Sequence, residues 1–182
     1  QEQHYYEAIN NYQITKYNTS DADKAIAEKA VEILKADLAK GYDHIVMARC
    51  KNKARANEVY KIYQQYQDYD PVIVYSGMPN AIGTLKAIKE KKHRIIVCVN
   101  MLGEGYDLPQ LKIAAIHDER QSLAVTLQFI GRFTRTNDIK LGKASFITNI
   151  AYPPIKEEVN SLYQIDADWN YILPRINEEV ST

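Results

Sequence analysis

A short stretch in the C-terminal half of the chain carries residues suited to phosphate chemistry. Residues 128–135 are Gln-Phe-Ile-Gly-Arg-Phe-Thr-Arg, with Arg132 and Arg135 three residues apart. Side chains at this spacing share one helix face, so both guanidinium groups could reach the same phosphate chain. An arginine directed at a γ-phosphate stabilises the charge of phosphoryl transfer. The structural alternative is a solvated helix face with the arginines paired to acids.

A second candidate segment, residues 103–109 (Gly-Glu-Gly-Tyr-Asp-Leu-Pro), follows a continuous apolar run at 95–99. Its glycines let the backbone approach a ligand closely, and Asp107 can accept a hydrogen bond from a ribose hydroxyl. The alternative is an ordinary loop, in which the glycines allow unusual backbone angles and the aspartate forms a local turn.

Polar residues also follow two predicted strands. Arg49 ends the first of them and is followed by Lys51 and Lys53, and Ser76 and Gly77 follow the next. Cations, hydroxyls and backbone amides are all that phosphate contacts require. A polar loop without a ligand fits these residues equally well. The basic residues within 86–94 favour a solvated helix end, with a phosphate-facing patch as the alternative.

The elements that must position these residues alternate along the chain. Apolar runs predict strands at 44–49, 71–75, 95–99, 111–116 and 144–150. Helical patterns begin at Ser20 as a capping residue, run over 52–67, and begin again with Asn80 as a cap. Strands alternating with helices predict a mainly parallel sheet with helices on both faces. Ligands of such sheets bind beyond the carboxyl ends of the strands.

Composition limits the possible partners. The chain has 182 residues, 46% of them apolar, which is enough for one domain with a core. Lys plus Arg equal Asp plus Glu at 23 each, so any nucleic-acid contact must come from a local patch. Cys50 and Cys98 fall in predicted buried strands and are expected to be free thiols. No membrane span or signal peptide is visible, and we predict no membrane partner.

Two other segments imitate nucleotide sites without meeting their requirements. Asp118 and Glu119 end an apolar run like the magnesium-binding acids of ATPases, but no phosphate loop precedes them. Gly142 and Lys143 lack the earlier glycine and the adjacent Ser or Thr of a P-loop. The four histidines show no metal spacing with the cysteines, so no metal ligands are predicted.

In their order and spacing, the two candidate segments resemble motifs V and VI of superfamily 2 helicases, the group that includes the DEAD-box and DEAH-box motors. Gln128, Gly131, Arg132 and Arg135 match motif VI, and residues 103–109 match motif V. The resemblance extends over roughly residues 42–150. It implies an α/β fold, a RecA-like three-layer domain with a mainly parallel sheet that lacks its own P-loop.

The resemblance implies a role for each residue of these motifs. Arg135 would act as an arginine finger on the γ-phosphate, and Arg132 would contact phosphate or acids of a partner lobe. Gln128 and Gly131 would belong to the nucleotide edge. Gly105 and Asp107 would lie at the same edge, facing the other lobe.

The resemblance also assigns nucleic-acid contacts to Arg49, Lys51, Ser76 and Gly77. The chain departs from the pattern at Val99, where many relatives have threonine. Because valine cannot donate a hydrogen bond, the contact there would fall to Asn100 or to backbone amides.

The function implied is that of the second motor lobe of an ATP-dependent helicase or translocase. ATP and Mg²⁺ would be held mainly by a separate first lobe, and we expect no ATP hydrolysis by this chain alone. We expect nucleic acid as the partner, with DNA favoured over RNA, and a cytoplasmic location (nucleoid-associated if bacterial). The main alternative is a non-catalytic helicase-like module for binding nucleic acid or protein, and a weaker one is another α/β nucleotide binder.

The expected organisation has three parts. Residues 1–19 would form an N-terminal arm or linker, 20–150 the helicase C-terminal RecA-like domain, and 151–182 a C-terminal extension. The first residue is Gln1 and not methionine, so we expect a piece of a longer protein.

Overall fold

The structure is a computed structural model that describes residues 9–99, 108, 110–117 and 142–151. Within these residues, parallel strands form one sheet in the order β1-β6-β5-β2-β4-β3. The strands are β1 (Ile9–Ile14), β2 (Ile45–Cys50), β3 (Val72–Val74), β4 (Ile95–Val99), β5 (Leu111–Ile116) and β6 (Ala144–Asn149). The helices are α1 (Thr19–Ala39), α2 (Lys53–Tyr63) and α3 (Ala81–Lys89), with a 3₁₀ turn at Gln67–Tyr69. The predicted α/β fold with a mainly parallel sheet is confirmed.

The centre of the sheet is buried on both faces. Every residue of β2 and β5 is buried, and so are four of the five in β4. Continuous apolar runs are typical of parallel strands covered on both sides, which explains why the sequence located them. β4 and β5 have the bounds predicted from sequence, and β6 differs by one residue.

Two of the helices pack on the same face of the sheet. α1 lies over β5, β6 and β2, α2 lies over β4, β2 and β3, and the two helices contact each other. Their apolar residues form one core with Val46, Ala48, Val97 and Ile113. Along the sheet, the connections from β1 to β2 and from β2 to β3 run in one direction, and the connection from β3 to β4 runs back. A right-handed crossover therefore places α3 on the face opposite α1 and α2. Ile88 of α3 is fully buried.

The region predicted as an arm or linker at 1–19 differs from the structure. Residues Ile9–Ile14 form β1, which pairs in parallel with β6 at the edge of the described sheet. The polar, tyrosine-containing strand has little of the apolar character that identified the others, because an edge strand has only one neighbour to pack on. Part of the predicted linker therefore belongs to the domain.

The helix starts also differ in detail from the prediction. α1 begins at Thr19 and is capped by Asn18, not by Ser20, since the Asn18 side chain accepts a hydrogen bond from the Asp21 N–H at 2.8 Å. α2 is capped by Asn52 through the Arg55 N–H at 2.9 Å. Asn80 precedes α3 as expected, but in a left-handed conformation without a side-chain capping bond. Both capped helices begin at the carboxyl edge of the sheet, where their positive dipole ends point.

One asparagine joins the end of β1 to the end of β6. Asn149 is buried, its Nδ2 donates to the Lys16 carbonyl at 2.9 Å, and its Oδ1 accepts from the Lys16 N–H at 3.1 Å. These two bonds satisfy the backbone where β1 leaves the sheet. They fix the position from which the chain enters α1.

We predict that Asn149→Ala lowers the free energy of unfolding by about 1–3 kcal/mol, because it leaves part-buried backbone groups of Lys16 unpaired. Urea titration followed by circular dichroism measures this change. The control is Asn57→Ala on the exposed side of α2, expected within about 0.5 kcal/mol of wild type. Equal stability of the two variants would show that β1 is not docked as described.

Candidate functional site

A buried cluster of charged and polar side chains lies at the carboxyl edge of the sheet. The guanidinium of Arg55, in the first turn of α2, binds both carboxylate oxygens of Asp23 on α1, at 2.8 and 2.9 Å. It also donates to the backbone carbonyl of His117, directly after β5, at 3.0 Å. Glu58 accepts a further bond from Arg55 at 2.9 Å. Arg55 thus joins three elements that are distant in the sequence.

The His117 ring completes this cluster. Its Nδ1 lies 3.0 Å from Asp23 Oδ1, and its Nε2 lies 2.8 Å from the Tyr63 hydroxyl. A neutral ring that donates from Nδ1 to the carboxylate and accepts the Tyr63 O–H at Nε2 satisfies both contacts. The Tyr63 ring also meets the His117 ring edge to face, with centroids 5.5 Å apart. The imidazole is therefore held on both nitrogens.

Burial and charge set the ionisation of the cluster. Burial lowers the pKa of His117 below its usual 6.5, the Arg55 charge acts in the same direction, and Asp23 opposes both. Burial would raise the pKa of Asp23, but hydrogen bonds to His117 and Arg55 hold it below its usual 3.8. Burial opposes the charge on Arg55, yet Asp23 raises the pKa of its guanidinium. At neutral pH Arg55 is ion-paired with both Asp23 and Glu58, and the His117 imidazole is neutral.

A basic patch lies beside this cluster, formed by Lys51, Lys53, Ser76 and Gly77. All four residues are exposed: Lys51 lies between β2 and α2, Lys53 is the first residue of α2, and Ser76 and Gly77 lie in the turn after β3. The Lys53 ammonium lies 4.8 Å from the centre of the Tyr75 ring, so a cation–π contact joins the start of α2 to the turn after β3. Gly77 has a φ of +84°, a conformation that favours glycine, and it leaves the turn open to solvent.

Arg49 belongs to the strand predicted over 44–49 and does not lie in the polar loop that follows it. It lies inside β2, is 6% exposed, and its carbonyl accepts from the His117 N–H at 3.0 Å. β2 continues to Cys50 because β4 and β5 supply hydrogen-bond partners on both sides. Alternation along the strand puts Arg49 on the face opposite α1 and α2. The structure brings Lys51, Ser76 and Gly77 to one surface but buries Arg49.

The basic residues at the end of α3 lie at the opposite edge of the sheet. Lys91 and Arg94 both contact the Asp43 carboxylate, and Lys92 pairs with Glu90 at 3.1 Å. Burial would raise the pKa of Asp43, but its bonds to Lys91 and Arg94 hold it below the usual value. These contacts support a solvated helix end with locally compensated charge.

All of the residues predicted at the nucleotide site, and one predicted nucleic-acid contact, lie outside the described residues. The nucleotide-site residues are Gly105, Asp107, Gln128, Gly131, Arg132 and Arg135, and the nucleic-acid contact is Asn100. Among the described residues no group of three or more His, Cys, Asp or Glu side chains could hold a metal ion. Cys50 and Cys98 are buried free thiols, as predicted. No described helix is long and apolar enough to cross a bilayer.

The sequence-based interpretation did not find the buried cluster. Asp23 resembles any acid in the first turn of a helix, and Arg55 resembles any cation on a polar helix face. Their partners lie 32 and 62 residues from Arg55, so local spacing carries no signal. The one local hint is an arginine between two alanines, facing the same side of α2 as Val59.

Residues 26–137 match the family of the helicase conserved C-terminal domain. The chain belongs to this family. It is 27% identical over 117 residues to the ATP-dependent RNA helicase SUB2 of Lodderomyces elongisporus, an alignment that covers 63% of the chain and 27% of that protein. The chain thus spans about a quarter of the length of this curated relative.

Solved structures with the same fold agree with the family. Dbp5 of S. cerevisiae bound to RNA and ADP-BeF3 superposes with a TM-score of 0.66 at 14% identity, covering 94% of this chain and 45% of that one. Domain 2 of the DEAD-box helicase Mss116p bound to an RNA duplex gives 0.62 at 14% identity, with coverages of 84% and 59%. The predicted RecA-like second-lobe fold of a superfamily 2 helicase is confirmed.

We predict that stability falls as the pH drops below about 6.5, because the folded pKa of His117 is depressed. The unfolded state then binds more protons than the folded state, so acid favours unfolding. The pKa of Asp23 is also depressed in the folded state, so its protonation removes further stability below about pH 3.8. Urea titrations between pH about 7.5 and about 5.5 measure the effect of the histidine.

The matched variants for this experiment are His117→Gln and His93→Gln, the latter at the opposite edge of the sheet. His117→Gln should be less stable at neutral pH and should show a smaller decline on acidification. His93→Gln should keep the wild-type decline. An unchanged decline in His117→Gln would show that His117 does not cause it.

Proposed function

We propose that this chain is the second motor lobe of an ATP-dependent nucleic-acid helicase or translocase. Family membership and fold support this role, and the observation that carries it is the exposed basic patch at the carboxyl edge. ATP and Mg²⁺ would be held mainly by the first lobe of the same protein. Arg132 and Arg135 would complete the nucleotide site from this lobe, with Arg135 as the arginine finger.

The patch suits a nucleic-acid backbone. Lys51 and Lys53 supply cations, Ser76 supplies a hydroxyl, and the turn at Gly77 leaves room for a phosphate. Such contacts hold a strand without reading its sequence. Because the chain has no net charge, this local concentration of cations is where attraction to phosphate would arise.

We propose RNA as the nucleic acid, in place of the DNA favoured from the sequence. The SUB2 relative is named as an RNA helicase, and the Dbp5 and Mss116p structures are complexes with RNA. Their similarity to this chain supports the choice. A single-stranded RNA and the DNA of the same sequence, compared at several salt concentrations, test it directly.

For the patch, we predict that Lys51→Ala combined with Lys53→Ala weakens binding of a fluorescent single-stranded RNA. The slope of log affinity against log salt should fall by up to about 1.4, at about 0.7 for each phosphate that is no longer neutralised. The measurement is fluorescence anisotropy. The control, Lys40→Ala with Lys92→Ala at the amino edge, removes the same charge and should leave the slope unchanged. Equal slopes in the two double variants would exclude the patch as the binding surface.

For the arginine finger, we predict that Arg135→Ala in the protein containing both lobes lowers RNA-stimulated ATP turnover about a thousandfold. ATP binding, measured with a fluorescent nucleotide, should persist, since the first lobe holds the nucleotide. Lys143→Ala is the control and should retain turnover. Unchanged turnover in Arg135→Ala would favour the alternative of a non-catalytic binding module.

A further inference from the structure

Arg55 lies beside the basic patch, but it is not built to contact a ligand. It is 8% exposed, and both terminal nitrogens bond to Asp23, while one also bonds to Glu58 and the other to the His117 carbonyl. Its guanidinium is ion-paired with both Asp23 and Glu58. A charge compensated in this way is a poor ligand for phosphate, so a role of Arg55 in phosphate binding would be exerted through its neighbours.

Those neighbours are the residues of the patch. Arg55 follows Lys53 by two residues in the first turn of α2, and its N–H bonds to the Asn52 side chain at 2.9 Å. Lys51 precedes Asn52 directly. Any shift of the Arg55 backbone therefore moves both lysines of the patch.

The partners of Arg55 are fixed in the core. Asp23 is 4% exposed on α1, and His117 is held on one ring nitrogen by Asp23 and on the other by Tyr63. The His117 N–H also bonds to the Arg49 carbonyl, which ties β5 to the end of β2. The α2 start is thus clamped to α1 on one side and to β5 on the other.

Lys53 connects the start of α2 to the other half of the patch, the turn after β3. Its ammonium lies over the Tyr75 ring, at the head of the turn that contains Ser76 and Gly77. Exposed lysines left to themselves sample many rotamers and lose entropy on binding. Holding the backbone of Lys53 at one place keeps its cation at the second loop.

We propose that Arg55 is a positioning residue for nucleic-acid binding, acting with Asp23 and the His117 carbonyl to hold Lys51 and Lys53 against the Ser76–Gly77 turn. This inference rests on the proposed function. In this proposal the buried ion pair fixes the positions of the surface lysines that contact phosphate. The contacts themselves are made by the lysines.

The test uses Arg55→Lys, which keeps the charge but cannot bind the carboxylate as a planar fork. We expect weaker binding of single-stranded RNA, by up to about fivefold at low salt. The salt slope should fall by about 0.7, the value of one neutralised phosphate. Partial unfolding would lower the apparent affinity without changing the slope, so the slope separates positioning from reduced stability. Circular dichroism of each variant confirms the folded fraction.

Two further variants sharpen this test. Asp23→Asn keeps the side-chain shape but removes the charge that holds Arg55, and it should reproduce the lower slope. This variant tests the same role if Arg55→Lys does not fold. Adding Arg55→Lys to the Lys51→Ala and Lys53→Ala double variant should lower the slope no further than the double variant alone, because the lysines that Arg55 positions are then already absent. The matched control is Arg94→Lys, which alters an arginine bonded to the Asp43 carboxylate and the His44 carbonyl at the amino edge. It should leave affinity and slope unchanged.

The outcomes distinguish this inference from the proposed function. If the Lys51 and Lys53 double variant loses affinity and slope while folded Arg55→Lys and Asp23→Asn keep the wild-type values, the positioning role is rejected and the patch stands. If the lysine variant binds like wild type, the patch is not the binding surface and both are rejected. A lower slope in Arg55→Lys and Asp23→Asn, with Arg94→Lys unchanged, supports the inference.

Discussion

The structure depends on β2 being hydrogen bonded in parallel to β4 on one side and β5 on the other. Strands in this position must bury both faces, so β2 cannot present its own side chains to a ligand. The parallel arrangement brings the carboxyl ends of all described strands to one edge. The residues that can contact a ligand are therefore those just beyond the strands, in the loops and at the starts of the helices.

The buried ion pair between Asp23 and Arg55 shows how such an edge is held together. Removing two charges from water is costly, and an ion pair recovers this cost only when its geometry is good and the remaining donors are satisfied. Here the carboxylate is bound at both oxygens and both terminal nitrogens of the guanidinium are bonded, while the buried Arg55 Nε has no hydrogen-bond partner among the described residues. We infer that a pair of this kind fixes the relative positions of α1, α2 and β5 more than it raises the free energy of unfolding.

Charge is distributed unequally between the two edges of the sheet, although the whole chain is neutral. At the amino edge the cations Lys91 and Arg94 are paired with Asp43. At the carboxyl edge Lys51 and Lys53 are exposed, and Lys53 contacts an aromatic ring in place of an acid. Cationic side chains at the two edges therefore differ in how readily they can bind a phosphate, because their neighbouring residues differ.

The sequence by itself determined the fold class, the central strands and the family. Long-range pairing is not required to recognise an apolar run such as β4 or β5, because burial on both faces imposes the composition directly. Motif residues with fixed local spacing are likewise visible in the chain. What the sequence could not decide was which polar residues are buried: β1 pairs with residues more than a hundred positions away, Arg49 is buried within β2, and Arg55 binds an acid and a carbonyl of other elements. Only the tertiary structure decided these points, since the burial of a charge depends on partners that folding alone brings together.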